Sequence, residues 1–143
     1  MREYLQFYIN GEWVDPENSK QLDVINPATE MVAGHISAGS HADVDKAVQA
    51  AAKAFVSWSQ TSKVERLALL NRIVEEFEKK IPKLGEAITE EMGAPNWLAV
   101  NIQATLGVYH FKNTADILER FEFEKDRGNS HISREPIGVC GFI

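Results

Sequence analysis

The side chain best suited to nucleophilic chemistry is the single cysteine, Cys140. A thiolate attacks carbonyl carbon readily, but only when a base or cation activates it. Cys140 sits between Val139 and Gly141 in an apolar run, 137–143, that contains no ionisable partner. It therefore reads as a structural residue, and no catalytic residue is expected in the chain. The four histidines, His35, His41, His110 and His131, include no pair three or four apart. The spacing of a helical metal site is missing, so no metal site is expected. Gly138 and Gly141 precede no predicted helix, and without a helix N-terminus they make no phosphate cradle. Trp13, Trp58 and Trp97 read as packing or interface residues before substrate contacts.

The composition bounds what these residues serve. A chain of 143 residues is long enough for one domain with a real core. The net charge of -6, from 15 basic and 21 acidic residues, argues against a nucleic-acid or anionic-membrane partner. No basic cluster offsets it. One cysteine excludes an intrachain disulfide framework and favours a reducing compartment. No signal-peptide run lies in the first ten residues, and no stretch approaches the ~20 apolar residues of a membrane span. A cytoplasmic protein with no membrane partner is the expectation.

The first forty residues read as strands and turns. Residues 4–9 are followed by Asn10-Gly11, a strong hairpin signal, and by the return strand Glu12-Trp13-Val14. Residues 15–19 are loop by composition. Short strands are predicted over 22–25, stopped by Asn26-Pro27, and over 31–37, ended by Gly39. Helices follow. Ser40 is an N-cap with Asp43 in the first turn, and Val44, Val48, Ala51, Ala52 and Phe55 keep a helical period. Ser62 and Glu65 form a capping box ahead of the apolar series Leu69, Leu70, Ile73, Val74 and Phe77. Glu75–Lys79 and Glu76–Lys80 are spaced to pair on its outer face. Pro82 is expected to interrupt this helix and start a third, 83–92, which Gly93-Ala94-Pro95 ends. Residues 96 to about 120 read as a long fourth helix, weakened by Gly107. A hairpin bounded by Phe121 and Glu135 follows, its first strand 121–124, its turn 126–129 and its second arm 130–135. The final run, 137–143, has the composition of a strand buried on both faces of a parallel sheet. Such a sheet needs further strands and crossover helices, so the run predicts a sheet completed by other polypeptide. The fold class is α/β.

Four segments in order resemble the aldehyde dehydrogenase superfamily. They are Tyr8-Ile9-Asn10-Gly11-Glu12-Trp13-Val14, Val24-Ile25-Asn26-Pro27-Ala28-Thr29, Ala42-Asp43-Val44-Asp45-Lys46-Ala47-Val48 leading into Ala51-Ala52, and Arg134-Glu135-Pro136-Ile137-Gly138-Val139-Cys140-Gly141. Each alone is weak. Their order and spacing make the set specific, and it spans essentially the whole chain.

The resemblance implies an NAD(P)-dependent enzyme that oxidises an aldehyde to a carboxylic acid through a cysteine thiohemiacetal and thioester. It implies a division into strands and helices of the cofactor-binding domain, 1–120, an oligomerisation hairpin, 121–135, and the first strand of a truncated Rossmann-type sheet, 136–143. The family's nucleophilic cysteine and its water-activating glutamate match no position here, so the 143 residues alone are expected to be inactive. Cys140 matches a small residue of that strand. Ile143 is the one position matching a cofactor contact, on the adenine side of NAD or NADP. Val100, Gln103, Ala104 and Leu106 lie in a region that helps wall the family's substrate tunnel, although helical core is the simpler reading of them. The family's monovalent-cation site near the position of Ile25 uses a helical carboxylate. The matching stretch, Asn101-Ile102-Gln103-Ala104-Thr105, has none. The implied partners are a small aldehyde and further copies of the chain, bound through the hairpin from Phe121 to Glu135. The alternative from another class is a non-catalytic helical assembly module, or a truncated subunit that joins full-length enzyme.

Overall fold

The computed structural model describes every residue except Met1, Ser19 and Ile143. Strands β1 (Arg2–Tyr4), β2 (Phe7–Ile9), β3 (Glu12–Val14), β4 (Lys20–Ile25) and β5 (Val32–Ala38) come first. They form two small sheets. One has the order β1-β5-β4, with β1 parallel and β4 antiparallel to β5; the other is the β2-β3 hairpin. The hairpin turns at Asn10 and Gly11, whose φ angles of 55° and 85° are both positive. This is the backbone that Asn-Gly accommodates and that matches the twist of paired strands. Across the turn Tyr8 stands opposite Trp13, with ring centroids 5.2 Å apart. The Ser37 hydroxyl donates to the Leu5 carbonyl at 2.7 Å and pins the link between β1 and β2 onto β5.

Helix α1 (His41–Trp58) starts at Ser40 as the sequence predicts. Helix α2 (Lys63–Met92) starts at Ser62, where the Ser62–Glu65 capping box is complete. The predicted break at Pro82 does not occur, because α2 is one helix of 30 residues with Pro82 inside it. The segments on both sides of Pro82 pack along the same helical neighbour, and that shared packing outweighs one lost backbone hydrogen bond. The helix ends where predicted, at Gly93, whose left-handed φ of 69° is the ordinary glycine stop. The expected i,i+4 pairs are replaced by an i,i+3 pair, Lys79 Nζ to Glu76 Oε1 at 2.6 Å.

The predicted fourth helix runs without a gap from Asn96 to Arg120, but its hydrogen bonding changes along the way. A short helical turn, α3 (Asn96–Leu98), leads into a π-helical segment (Ala99–Ala104) and then α4 (Thr105–Arg120). This hairpin of helices holds most of the core: Val74 from α2, Ala99 and Ala104 from the π-helical segment, and Val108 and Ala115 from α4. Phe77 and Phe111 meet edge to face at 5.9 Å. At Gly107 the Phe77 ring fills the space a side chain would take, with Cζ 2.5 Å from an ideal Cβ. Lys112 crosslinks α4 to Glu78 of α2 at 2.6 Å.

The last elements are β6 (Glu124–Arg127) and β7 (Ser130–Ser133), an antiparallel pair turning at Gly128 and Asn129. The first arm is thus three residues later than predicted. Phe121 and Phe123 meet edge to face at 4.9 Å, with the Arg134 guanidinium 5.5 Å from the Phe121 ring, and the Phe123 carbonyl accepts from the Arg134 N–H at 2.8 Å beyond the end of the regular ladder. The strand predicted over 136–143 is not formed in the described residues. Residues 136–142 take no regular structure, and Ile137 and Phe142 are 94% and 97% exposed. A parallel strand needs a neighbour to receive its hydrogen bonds, and none of the described strands lies against this run.

Candidate functional site

The side chains that could do chemistry are not brought together. Cys140 is exposed, and its thiol reaches only the Gly138 carbonyl, at 3.8 Å. His131 pairs with Asp126 across the β6-β7 turn at 2.8 Å, and His35 lies against Glu3 at 2.7 Å. Among the described residues no three His, Cys, Asp or Glu side chains are arranged to hold a metal ion. Trp13, Trp58 and Trp97 are all largely exposed. Gly138 and Gly141 lie in the irregular run and cradle nothing. Ile143, the expected cofactor contact, lies outside the described residues.

The chain does assemble a helical platform. The π-helical segment presses on α2 where Gly85 removes a side chain, and an ideal Cβ there would lie 2.3 Å from Val100 Cγ2. The wide π turn leaves the Val100 carbonyl for the Thr105 hydroxyl, which donates to it at 3.0 Å. π turns concentrate at functional positions. Of the four possible tunnel-wall residues, Ala104 is buried and Val100 packs on α2. Gln103 is half-buried and its Oε1 has no partner, while Leu106 is exposed. Ile102, Leu106, Tyr109 and Ile117 expose a second apolar face of this hairpin, away from α2. Asn101 to Thr105, the stretch lacking a carboxylate, falls in the π turn and its exit. Neither the π turn nor its tight seat on Gly85 has a local sequence signal. The role of Lys63 has no local signal either. Its ammonium covers the last carbonyls of α4, donating to Glu119 O at 2.9 Å and Phe121 O at 3.4 Å. That contact spans more than fifty residues of chain, beyond the reach of periodicity.

The most strongly held carboxylate is also structural. Asp43 Oδ2 accepts from the Ser40 backbone N–H at 2.8 Å and from the Ser40 hydroxyl at 2.7 Å. Its Oδ1 accepts from the Glu17 N–H at 2.9 Å. The Ser40 and Glu17 N–H groups, in that order, hold the Asp43 carboxyl below the usual range. The Glu17 carboxylate pairs in turn with Lys46 one turn along and raises its ammonium. Together they fasten the loop after β3 to the start of α1.

The sequence profile of the aldehyde dehydrogenase family matches residues 13–143. The chain belongs to that family. A "3-succinoylsemialdehyde-pyridine dehydrogenase" of a Pseudomonas species is 49% identical over 144 residues, covering all of this chain and 30% of the relative. Two solved aldehyde dehydrogenases share the fold. A mutant of aldehyde dehydrogenase C from Pseudomonas syringae, in complex with NAD+ and octanal, superposes with a TM-score of 0.89 at 41% identity, over 92% of this chain and 27% of that one. The Bartonella henselae enzyme gives 0.87 at 41% identity, over 90% and 28%. The chain therefore spans under a third of the length of these aldehyde dehydrogenases. Its mixed α/β architecture is that of the matching part of the family fold. No helix among the described residues is long and apolar enough to cross a membrane.

Proposed function

We propose that these 143 residues are the N-terminal portion of an NAD(P)-dependent aldehyde dehydrogenase, serving the complete enzyme as scaffold and oligomerisation arm. The observation that carries this reading is the family match across 13–143, which covers under a third of the length of the relatives it matches. The complete protein oxidises an aldehyde to a carboxylic acid. A cysteine elsewhere in the protein attacks the aldehyde carbonyl, and a thioester is then hydrolysed. NAD or NADP supplies the hydride acceptor. Cys140 takes no part.

The roles left to this chain are positional. Residues 1–120 pack as the strands and helices around the cofactor domain, with the π turn and Gln103 on the side facing the substrate. Residues 136–143 complete their strand only against further strands of a Rossmann-type sheet, and the family resemblance would then put Ile143 on the adenine side of the cofactor. The hairpin from Phe121 to Glu135 is the homo-oligomer contact. Its two strands are exposed throughout, and a free two-stranded ribbon is marginal in water. The setting is cytoplasmic, consistent with one free thiol.

The test is a turnover assay on the intact protein purified from its natural source, with its mass measured first. NAD+ and NADP+ are supplied separately with a panel of aldehydes that includes octanal and a semialdehyde. Reduced nicotinamide and the matching carboxylic acid should form together and in equal amounts. An intact protein of 16.0 kDa that turns over none of them would sink the enzyme reading and favour a non-catalytic assembly module.

A further inference from the structure

Asn10 and Gly11 form the two-residue turn of the β2-β3 hairpin, and both are exposed. Nothing lies within 4 Å of the place a Gly11 side chain would take. The Gly11 N–H is not held either, since it donates to no backbone carbonyl among the described residues. An asparagine amide followed by an unshielded, unbonded peptide nitrogen is the arrangement from which a five-membered cyclic imide forms. The asparagines elsewhere lack it. Asn26 precedes Pro27, whose nitrogen carries no proton to lose. Asn71, Asn96, Asn101 and Asn113 lie in helical segments, which fix the peptide unit that follows. Asn129 precedes Ser130, which is paired with Arg127 as β7 begins.

We propose that Asn10 is a deamidation site. The Gly11 nitrogen loses its proton and attacks Asn10 Cγ. The bond from Cγ to Nδ2 breaks, the side-chain nitrogen leaves as ammonia with that proton, and a succinimide remains. Water then opens the ring at either carbonyl, giving aspartate or isoaspartate. No oxidant is needed, and water is the one co-reactant. Either product adds one negative charge to the net charge of -6.

The hairpin supplies the opening that the reaction needs. Asn10 holds a left-handed φ of 55° in the closed turn, and ring closure requires a backbone rotation out of it. Strands β2 and β3 have three residues each and form a sheet of their own. A two-stranded ribbon is marginal in water, so the turn opens locally while the helices stay folded. The product has a structural consequence. In isoaspartate the main chain runs through the side-chain carbons and is one atom longer. A two-residue turn with both φ angles positive has no room for that atom. The register that sets Tyr8 opposite Trp13 is therefore lost.

The test is to hold the intact protein at mildly alkaline pH, beside a sample denatured in guanidinium, and to map its peptides by mass spectrometry over time. Fragmentation places each change on a residue. In the folded sample Asn10 should gain about 1 Da before any of the other asparagines named above. An isoaspartyl methyltransferase should label the same peptide. An Asn10→Gln variant should show neither the gain nor the label there. Asn10 left intact in the folded protein while the denatured sample converts would overturn the proposal. Conversion of another of the named asparagines first, or a mass gain at Asn10 with no methyltransferase label, would do the same.

Discussion

Gly85 and Val100 are in such close apposition that no side chain fits between them. An ideal Cβ on residue 85 would lie 2.3 Å from Val100 Cγ2 and 3.0 Å from Val100 Cα. The second distance matters more, because a backbone atom cannot swing aside as a methyl can. Glycine inside a helix costs roughly 1 kcal/mol relative to alanine, so on propensity alone Gly85→Ala should stabilise. Overpacking of a tight core costs about 1–3 kcal/mol, and here it falls on the π turn. Gly85→Ala is expected to lower stability by roughly 1–2 kcal/mol in chemical denaturation of the intact protein. A gain in stability would mean that the π segment is not seated on α2 as described.

Asp43 gives the chain an acid-sensitive fastening. The Ser40 and Glu17 N–H groups favour its carboxylate, which lowers the folded-state value. A lowered folded-state value means stability that is present above the ordinary carboxylate range and is lost as pH falls through the folded value. Glu65 acts in the same sense through Ser62 at the start of α2. Asp43→Asn should therefore lower stability near neutral pH and flatten the acid limb of a stability–pH curve. Thermal melts from about pH 7 down to about pH 3 would read this. An unchanged acid limb would remove Asp43 from the account.

These two cases divide what a sequence can reveal from what it cannot. The Asp43 and Glu65 caps, the Asn10-Gly11 turn and the Gly93 stop were legible because each is a local rule operating within about four residues. The fate of Pro82, the π turn and the Lys63 cap on α4 were not, because each is decided by a partner far along the chain. The later start of β6 has the same origin, since Phe121 and Phe123 meet edge to face beside Arg134, a partner eleven or more residues along the chain. For the functional assignment, no single residue was informative. The ordered set of short segments was, and the profile match over 13–143 spans it.

Pro82 is a continuous-helix proline on an exposed position of α2. It has no N–H to donate to the Glu78 carbonyl, and its ring crowds that turn; the usual cost in a helix interior is about 3 kcal/mol. Being exposed, it contributes little packing that alanine would lose. Part of the gain is offset because proline also restrains the unfolded chain, by about 0.4–1 kcal/mol. Pro82→Ala should raise stability by roughly 2 kcal/mol and increase helical circular dichroism slightly. A fall in stability would indicate that the proline sets a bend that the packing against α4 requires.

The β6-β7 hairpin makes the assembly reading testable with one side chain. Ile132 stands opposite Lys125 and is the one large apolar residue within the paired strands. It lies on the ribbon, away from the α2/α4 core, so replacing it should leave the fold of the protomer intact. If the ribbon pairs with another copy, Ile132→Asp places an unpartnered carboxylate in that contact, and burying a charge without a partner is strongly unfavourable. Light scattering on the intact protein should then show a smaller assembly, with the circular dichroism spectrum unchanged. Dilution should shift the variant's mass further at concentrations where the wild type holds, since weaker subunit association makes assembly concentration-dependent. An unchanged mass at every concentration would move the interface off the hairpin, and the exposed apolar face of Ile102, Leu106, Tyr109 and Ile117 would be the next surface to substitute.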